Sequence, residues 1–208
     1  MLNVHIGCGF NIGKSWVNYD KSLTARIEKI PFLKKILRIN KSSFPKEVKY
    51  GDIVRKPLSD ENGCKNVFCA YTLEHLEYEE CQIALKNIYY MLNYGGCFRV
   101  IVPSLESRIN KYNTSKDAHA FLMSLGIKKQ FPINSGFINY IRDMFGSHKH
   151  LWMYDENSLK KELINAGFIN IKKCNFNDAE DKVFNEIERE DEFIDRMGNI
   201  EVALECSK

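Results

Sequence analysis

Residues 1–20, MLNVHIGCGFNIGKSWVNYD, decide how the rest of the chain is read. "LNVHI" is a short apolar run ending in glycine, the pattern of a strand buried at the centre of a parallel sheet. "WVNYD" reads as a second strand that ends on an acid. Between them, the glycines of Gly7-Cys8-Gly9 let a ligand approach the backbone closely. A dinucleotide-binding turn would place its acid roughly 20 residues beyond the glycines. Asp20 stands only eleven residues past Gly9, and "FNIGKS" holds barely one turn. A parallel crossover usually takes about a dozen residues or more, so the first crossover is expected to be short.

Further strands are expected at "EVKYGDI", "NVFCAY" and "CFRVIVP", and two more at "FINIKKC" and "IEVALEC". "YEECQIALKNIYYMLNYGG" places Cys81, Ala84, Leu85, Ile88 and Leu92 on one helical face. Acids near its start favour the helix dipole, and Gly95-Gly96 are expected to stop it. A second helix is expected over Ser158–Ala166, capped by Asp155 and ended by Gly167. Strands alternating with helices point to an α/β fold with mainly parallel pairing. The expectation is a Rossmann-like three-layer sandwich with a seven-stranded sheet in one domain over 1–208, with helical insertions at about 21–50 and 104–150.

Composition sets the bounds. The 208 residues are enough for one domain with a sizeable core, and 44% hydrophobic with 27% charged residues argues against disorder. A net charge of +3 does not by itself imply nucleic acid, and none is expected as a partner. The seven cysteines are scattered without a C-x-x-C, which argues against a disulfide framework or a zinc site. No metal is therefore expected, and a reducing cytoplasm is the expected compartment. Bases crowd 21–56 and acids crowd 178–205, which reads as two solvated faces that partly neutralise each other.

In an open α/β sheet, ligands bind beyond the carboxyl ends of the strands, near the switch in strand order. Four such ends carry suggestive groups: Gly7 to Gly9, Asp20, Asp52, and Tyr71 to His75. An acid at a strand end can accept both hydroxyls of a ribose. Asp52 followed by apolar Ile53 suits an adenine, with one hydrogen bond and one apolar wall.

Taken together, "VHIGCGFNIGKSWVNYD", "YGDIVRKPLSDENGCKNVFCAYTLEHL", "IALKNIYYMLNYGGCFRVIVPSLE" and "HKHLWMYDENSLKKELINAGF" resemble the class I S-adenosylmethionine-dependent methyltransferases. The chain resembles in particular small bacterial members of the methyltransferase 11-like group associated with cell-surface polysaccharide genes. These relatives share the shortened first crossover. The resemblance implies that Gly7, Cys8 and Gly9 lie under the methionine part of S-adenosylmethionine. Asp20 would hold the ribose, and Asp52 and Ile53 the adenine. Backbone near Ala70 and Tyr71 would meet the amino-acid end, and Leu73, Glu74 and His75 would lie beside the methyl group. S-adenosylhomocysteine would be the product. The implied acceptor is a small molecule, a sugar or phosphorylated precursor of a surface glycan.

An oxygen or ring-nitrogen acceptor needs a base, and His75 is the first candidate, followed by His148 and His150 in "SHKHLWMYD". Each has a bland alternative: His75 as a backbone-bonded histidine, and the other two packed on Trp152 or Tyr154. The amphipathic 27–38 stretch reads as an ordinary helix, a lid over the site, or a peripheral membrane contact. Two rival functions stand beside the methyltransferase. A nicotinamide-dependent oxidoreductase needs a later acid and a helix directly after the glycines. A catalytically silent methyltransferase-like subunit would bind a partner through the basic 21–56 segment.

Overall fold

The computed structural model describes residues 1–22, 45–126 and 149–208. The chain begins with strands β1 (Leu2–Ile6), β2 (Val17–Asp20), β3 (Lys49–Tyr50) and β4 (Cys64–Ala70). Helix α1 (Tyr78–Met91) leads into β5 (Leu92–Val102), followed by α2 (Leu105–Ser115) and α3 (Ala118–Ser124). Helix α4 (Glu156–Ala166), β6 (Ile169–Lys173), the short α5 (Glu190–Phe193) and β7 (Val202–Ser207) complete it. The seven strands form one sheet in the order β3-β2-β1-β4-β5-β7-β6. Pairing is parallel from β3 to β5, and β7 runs antiparallel to both neighbours. The expected α/β architecture is therefore present, with an antiparallel edge. Strand order reverses between β1 and β4, which lie side by side.

Away from the register shifts at the start of β4, side chains alternate across the sheet with a period of two. Val4, Ile6, Val67, Cys69, Phe98, Val100, Val102, Leu204 and Cys206 share one face and one core. Among the described residues, two helices cover that face. Helix α1 buries Cys81, Ala84, Leu85, Ile88 and Met91, and its start is fixed by a capping box between Glu77 and Glu80. Helix α4 buries Leu159 and Leu163; Asp155 caps it by accepting the Ser158 N–H at 2.7 Å, and Gly167 ends it with φ of 105°. Each fully buried Leu or Ile here contributes about 1.5–3 kcal/mol.

Gly95 and Gly96 are not the helix stop that the sequence suggested. Helix α1 ends at Met91, and Leu92 turns extended to pair with Cys64 as the first residue of β5. The glycines lie beyond it, where the β4–β5 register shifts. A Cβ on Gly96 would sit 2.8 Å from the Lys65 carbonyl oxygen, so the close approach of two backbones demands glycine. The third strand is also shorter than the sequence reading, with only Lys49 and Tyr50 paired.

The opposite face explains how so short a crossover joins β1 to β2. No helix lies between Ile6 and Val17. The chain from Cys174 to Glu201 occupies that space instead, bringing Ala179, Phe184, Ile187 and Phe193 against Trp16, Phe68 and Ile101. Trp16 donates from Nε1 to the Val183 carbonyl at 3.1 Å, and its ring meets Phe184 edge-on at 5.2 Å. Asn11 donates to the Ile187 carbonyl, and Ser15 donates to Glu186.

The acids of 178–205 are only in part the solvated face that their charge suggested: Asp178, Glu180, Glu186, Glu190 and Asp191 are exposed, whereas Glu188 and Glu201 are buried. Arg99, 1% exposed, stands at the centre of this layer. Its guanidinium meets Glu188 and Glu205 at 2.6 Å and Asp178 at 2.9 Å. It also donates to the Asn175 carbonyl. Arg108, likewise buried, makes two hydrogen bonds to Glu201 at 2.7 and 2.9 Å. Two buried arginines thus organise the acidic segment, each with carboxylate partners that offset the burial of its charge. Most of the basic stretch, the 27–38 helix reading and residues 127–148 of the 104–150 insertion lie outside the described residues. Among the described residues, no helix is long and apolar enough to cross a membrane.

Candidate functional site

The strand-order switch brings together the carboxyl ends of β1, β2, β3 and β4. Gly7 follows β1 in the left-handed region at φ 68°, and a Cβ there would lie 2.0 Å from Thr72 Oγ1. Only glycine allows the β1 turn to close on the chain leaving β4. Gly9 is also left-handed, at φ 52°, but its Cβ position faces open space. Cys8 lies buried between them and extends the β1–β2 pairing by donating to the Tyr19 carbonyl at 3.0 Å. Burial, reinforced by the nearby Asp20 carboxylate, pushes the Cys8 thiol up to about 12, so it is neutral and unreactive.

Asp20 ends β2 and points back at the glycine turn. One carboxylate oxygen accepts the Gly9 N–H at 3.0 Å and the other accepts the Ser22 N–H at 2.7 Å. Each oxygen of an ionised carboxylate has a second lone pair, so the group keeps capacity for two more donors. Asp52 follows β3, whose register sets it beside Asp20: the Gly51 N–H donates to the Asp20 carbonyl. Asp52 accepts the Val54 N–H at 3.0 Å and faces Arg55 at 3.6 Å. Ile53 packs into the main core, and Asn87 holds its carbonyl at 2.6 Å.

At the end of β4, Ala70 is buried and Tyr71 is left-handed at φ 49°. A tyrosine in that conformation costs about 1–3 kcal/mol and persists only where its surroundings hold it. Its N–H donates to the Ile101 carbonyl at 3.0 Å, and its hydroxyl donates toward Glu201 at 3.2 Å. The Arg108–Glu201 pair therefore anchors the Tyr71 side chain and leaves its backbone at the strand end. Thr72, Arg108 and Glu201 escaped the sequence reading, because a support that depends on residues 93 and 130 positions apart has no local signal.

A 3₁₀ turn, Leu73–His75, comes next. Leu73 is fully buried in the main core. Glu74 is fully buried too, yet neither oxygen of its carboxylate makes a hydrogen bond among the described residues. Burial pushes that carboxyl up to about 8. His75 Nδ1 lies 2.8 Å from the Lys149 carbonyl, and its Nε2 lies 3.8 Å from Glu74 Oε1. The rings of His75 and His150 meet edge-on at 5.2 Å. Burial, then the neighbouring His75, holds His150 down at about 4, so its ring is neutral. The structure thus brings two of the three candidate histidines together beside Glu74, while His148 lies outside the described residues.

The fold can be compared with solved structures. A methyltransferase from Archaeoglobus fulgidus, described as S-adenosylmethionine-dependent, superposes with a TM-score of 0.50 at 17% identity, covering 99% of this chain and 85% of its own. A second such methyltransferase, from Thermotoga maritima, gives 0.50 at 17% identity, covering 100% and 82%. The Burkholderia thailandensis 1,6-didemethyltoxoflavin-N1-methyltransferase, solved with its substrate and S-adenosylhomocysteine, gives 0.50 at 12%, covering 100% and 70%. No family model and no curated protein matches the sequence. At these identities the likeness is one of fold: the chain is similar to class I methyltransferase structures in its seven-stranded sheet and flanking helices.

Proposed function

We propose that this protein is an S-adenosylmethionine-dependent methyltransferase acting on a small-molecule acceptor. The observation that carries the reading is the pair of carboxylates, Asp20 and Asp52, at adjacent strand ends beside a turn in which Gly9 opens outward. The cradle fits the cofactor. The spare lone pairs of Asp20 suit the two hydroxyls of a ribose, and Asp52 suits the amino group of an adenine. The turn Gly7 to Gly9 and the backbone at Ala70 and Tyr71 would hold the methionine end. The fold shared with known methyltransferases supports the same cofactor.

S-adenosylmethionine, when bound, supplies a sulfonium methyl group already activated for displacement, with S-adenosylhomocysteine as the leaving product. What the chain contributes is placement. Gly7 lets the β1 turn and Thr72 close together, and Arg108 with Glu201 holds Tyr71 so that the end of β4 stays fixed. His75 and His150, at the following turn, are the groups placed to take a proton from the acceptor. His150, held down at about 4, is neutral but weakly basic, which leaves His75 the better placed of the two for that role.

The sequence motifs support a finer reading of the acceptor as a sugar or phosphorylated precursor of a surface glycan, handled in a reducing cytoplasm that suits seven free thiols. A turnover screen reading S-adenosylhomocysteine release against nucleotide sugars, phosphosugars and small amines tests it. Release dependent on a phosphosugar or nucleotide sugar is the expected result. Release with amines alone would overturn the glycan reading, and no binding of any adenine nucleoside would overturn the methyltransferase itself.

A further inference from the structure

Glu74, His75 and His150 each offer one ligand atom, and the three atoms lie within 4.8 Å of one another. Their setting is built rather than incidental. The Leu151 and Trp152 N–H groups both donate to the Glu74 carbonyl, at 2.7 and 3.2 Å. The His75 ring faces the Lys149 carbonyl, which can only accept, so Nδ1 carries the hydrogen and Nε2 is the nitrogen that the neutral ring can offer to an ion. Three hydrogen bonds thus fasten 149–152 onto the turn after β4 and place His150 opposite His75. A ring nitrogen bonded to a backbone carbonyl is the usual outer-shell arrangement of a metal-binding histidine. The independent sign of a ligand is the Glu74 carboxylate, completely buried, aimed at the two imidazoles and without a hydrogen bond among the described residues. Buried carboxyls are otherwise almost always paired.

We propose that Glu74, His75 and His150 form a binding site for a divalent transition-metal ion of the zinc type. Two imidazoles and one carboxylate are the donor set of an open tetrahedral site, with the fourth position left for an outside oxygen. Magnesium fits poorly, because it prefers an all-oxygen octahedron. Ligand bonds of about 2.0–2.2 Å require the three donor atoms to draw in to roughly 3.3 Å apart, which small side-chain rotations supply. The inference departs from the sequence reading, which expected no metal because it looked for cysteine spacings. Only the role of the ion rests on the methyltransferase proposal: with the ion bound, His75 and His150 serve as its ligands instead of as the base, and its open position, beside the turn after β4, would hold an acceptor hydroxyl and lower its pKa.

Cobalt(II) titration of the metal-free full-length protein tests the site without any turnover. One equivalent is expected to give the visible absorption of a low-symmetry site, displaced by Zn²⁺. His75→Ala and His150→Ala are expected to weaken binding at least about tenfold. Glu74→Gln, isosteric with the carboxyl group, is expected to keep the fold and to weaken binding comparably. Absence of saturable binding would overturn the proposal. So would a signal that survives these substitutions, since it would then belong to thiols. A parallel titration with S-adenosylhomocysteine keeps the two readings apart: metal binding without nucleoside binding would sink the methyltransferase and leave the metal site standing.

Discussion

On one side of the sheet, Val4, Ile6, Val67, Phe98 and Val100 meet two regular amphipathic helices. On the other side, His5, Asn66, Phe68 and Arg99 meet an irregular chain fastened by ion pairs and by side-chain bonds to backbone. The same five-residue strand, β1, supplies both surfaces in alternation. The helical side depends on area and shape, so its losses should be graded and insensitive to pH. The irregular side depends on charges held out of water, so removing one partner should expose the full cost of another. The comparison also explains the short first crossover: where the sheet lacks a crossover helix, a polar segment from the far end of the chain takes over the cover.

Arg99→Met should break the irregular side most severely. Glu188, whose side chain is fully buried, would lose its cation, and a loss of about 3–5 kcal/mol is expected from urea denaturation. A loss under about 1 kcal/mol would mean that the apolar contacts of Phe184 and Ile187 hold this layer unaided. Acid should come next. Burial holds His5 down at about 3, against about 6.5 when unfolded. The unfolded chain therefore binds a proton that the folded one refuses. The contribution is fully present above pH 6.5 and lost as pH falls toward 3, by up to about 1.4 kcal/mol per pH unit. His5→Phe should flatten a pH series of denaturation midpoints by that slope, and an unchanged slope would contradict the assignment. Asp178, Asp181 and Glu186, all held low by their partners, add acid sensitivity of the same sign. Ile88→Val, on the helical side, should have the smallest effect, about 0.5–1.5 kcal/mol, equal at pH 5 and pH 8.

What could be read from the sequence follows the same division. The helical side is periodic, so the faces of α1 and α4, the Asp155 cap and the Gly167 stop were all visible. The strand-end glycines and acids were visible because each punctuates an apolar run. The segment over 174–201 has no period, and its order depends on Arg99, far away in sequence. Its acids therefore looked like a solvated surface. The buried polar residues His5, Asn66 and Arg99 inside otherwise apolar strands were the available signal that one face would have a polar cover. Gly95-Gly96 misled because a glycine pair after a helical pattern is equally the mark of a stop and of a bulge. Glu74 is one acid among Glu74, Glu77, Glu79 and Glu80, and nothing local marks it as the buried one.

The central claim is that the strand ends around Asp20 hold S-adenosylmethionine, and calorimetric titration with S-adenosylhomocysteine tests it most directly. The wild-type protein is expected to bind one equivalent. Asp20→Ala removes a charged acceptor for two hydroxyls, at about 1.5–3 kcal/mol each, so its affinity should fall roughly a hundredfold or more. Equal affinity in the two proteins, or no binding in either, would contradict the account.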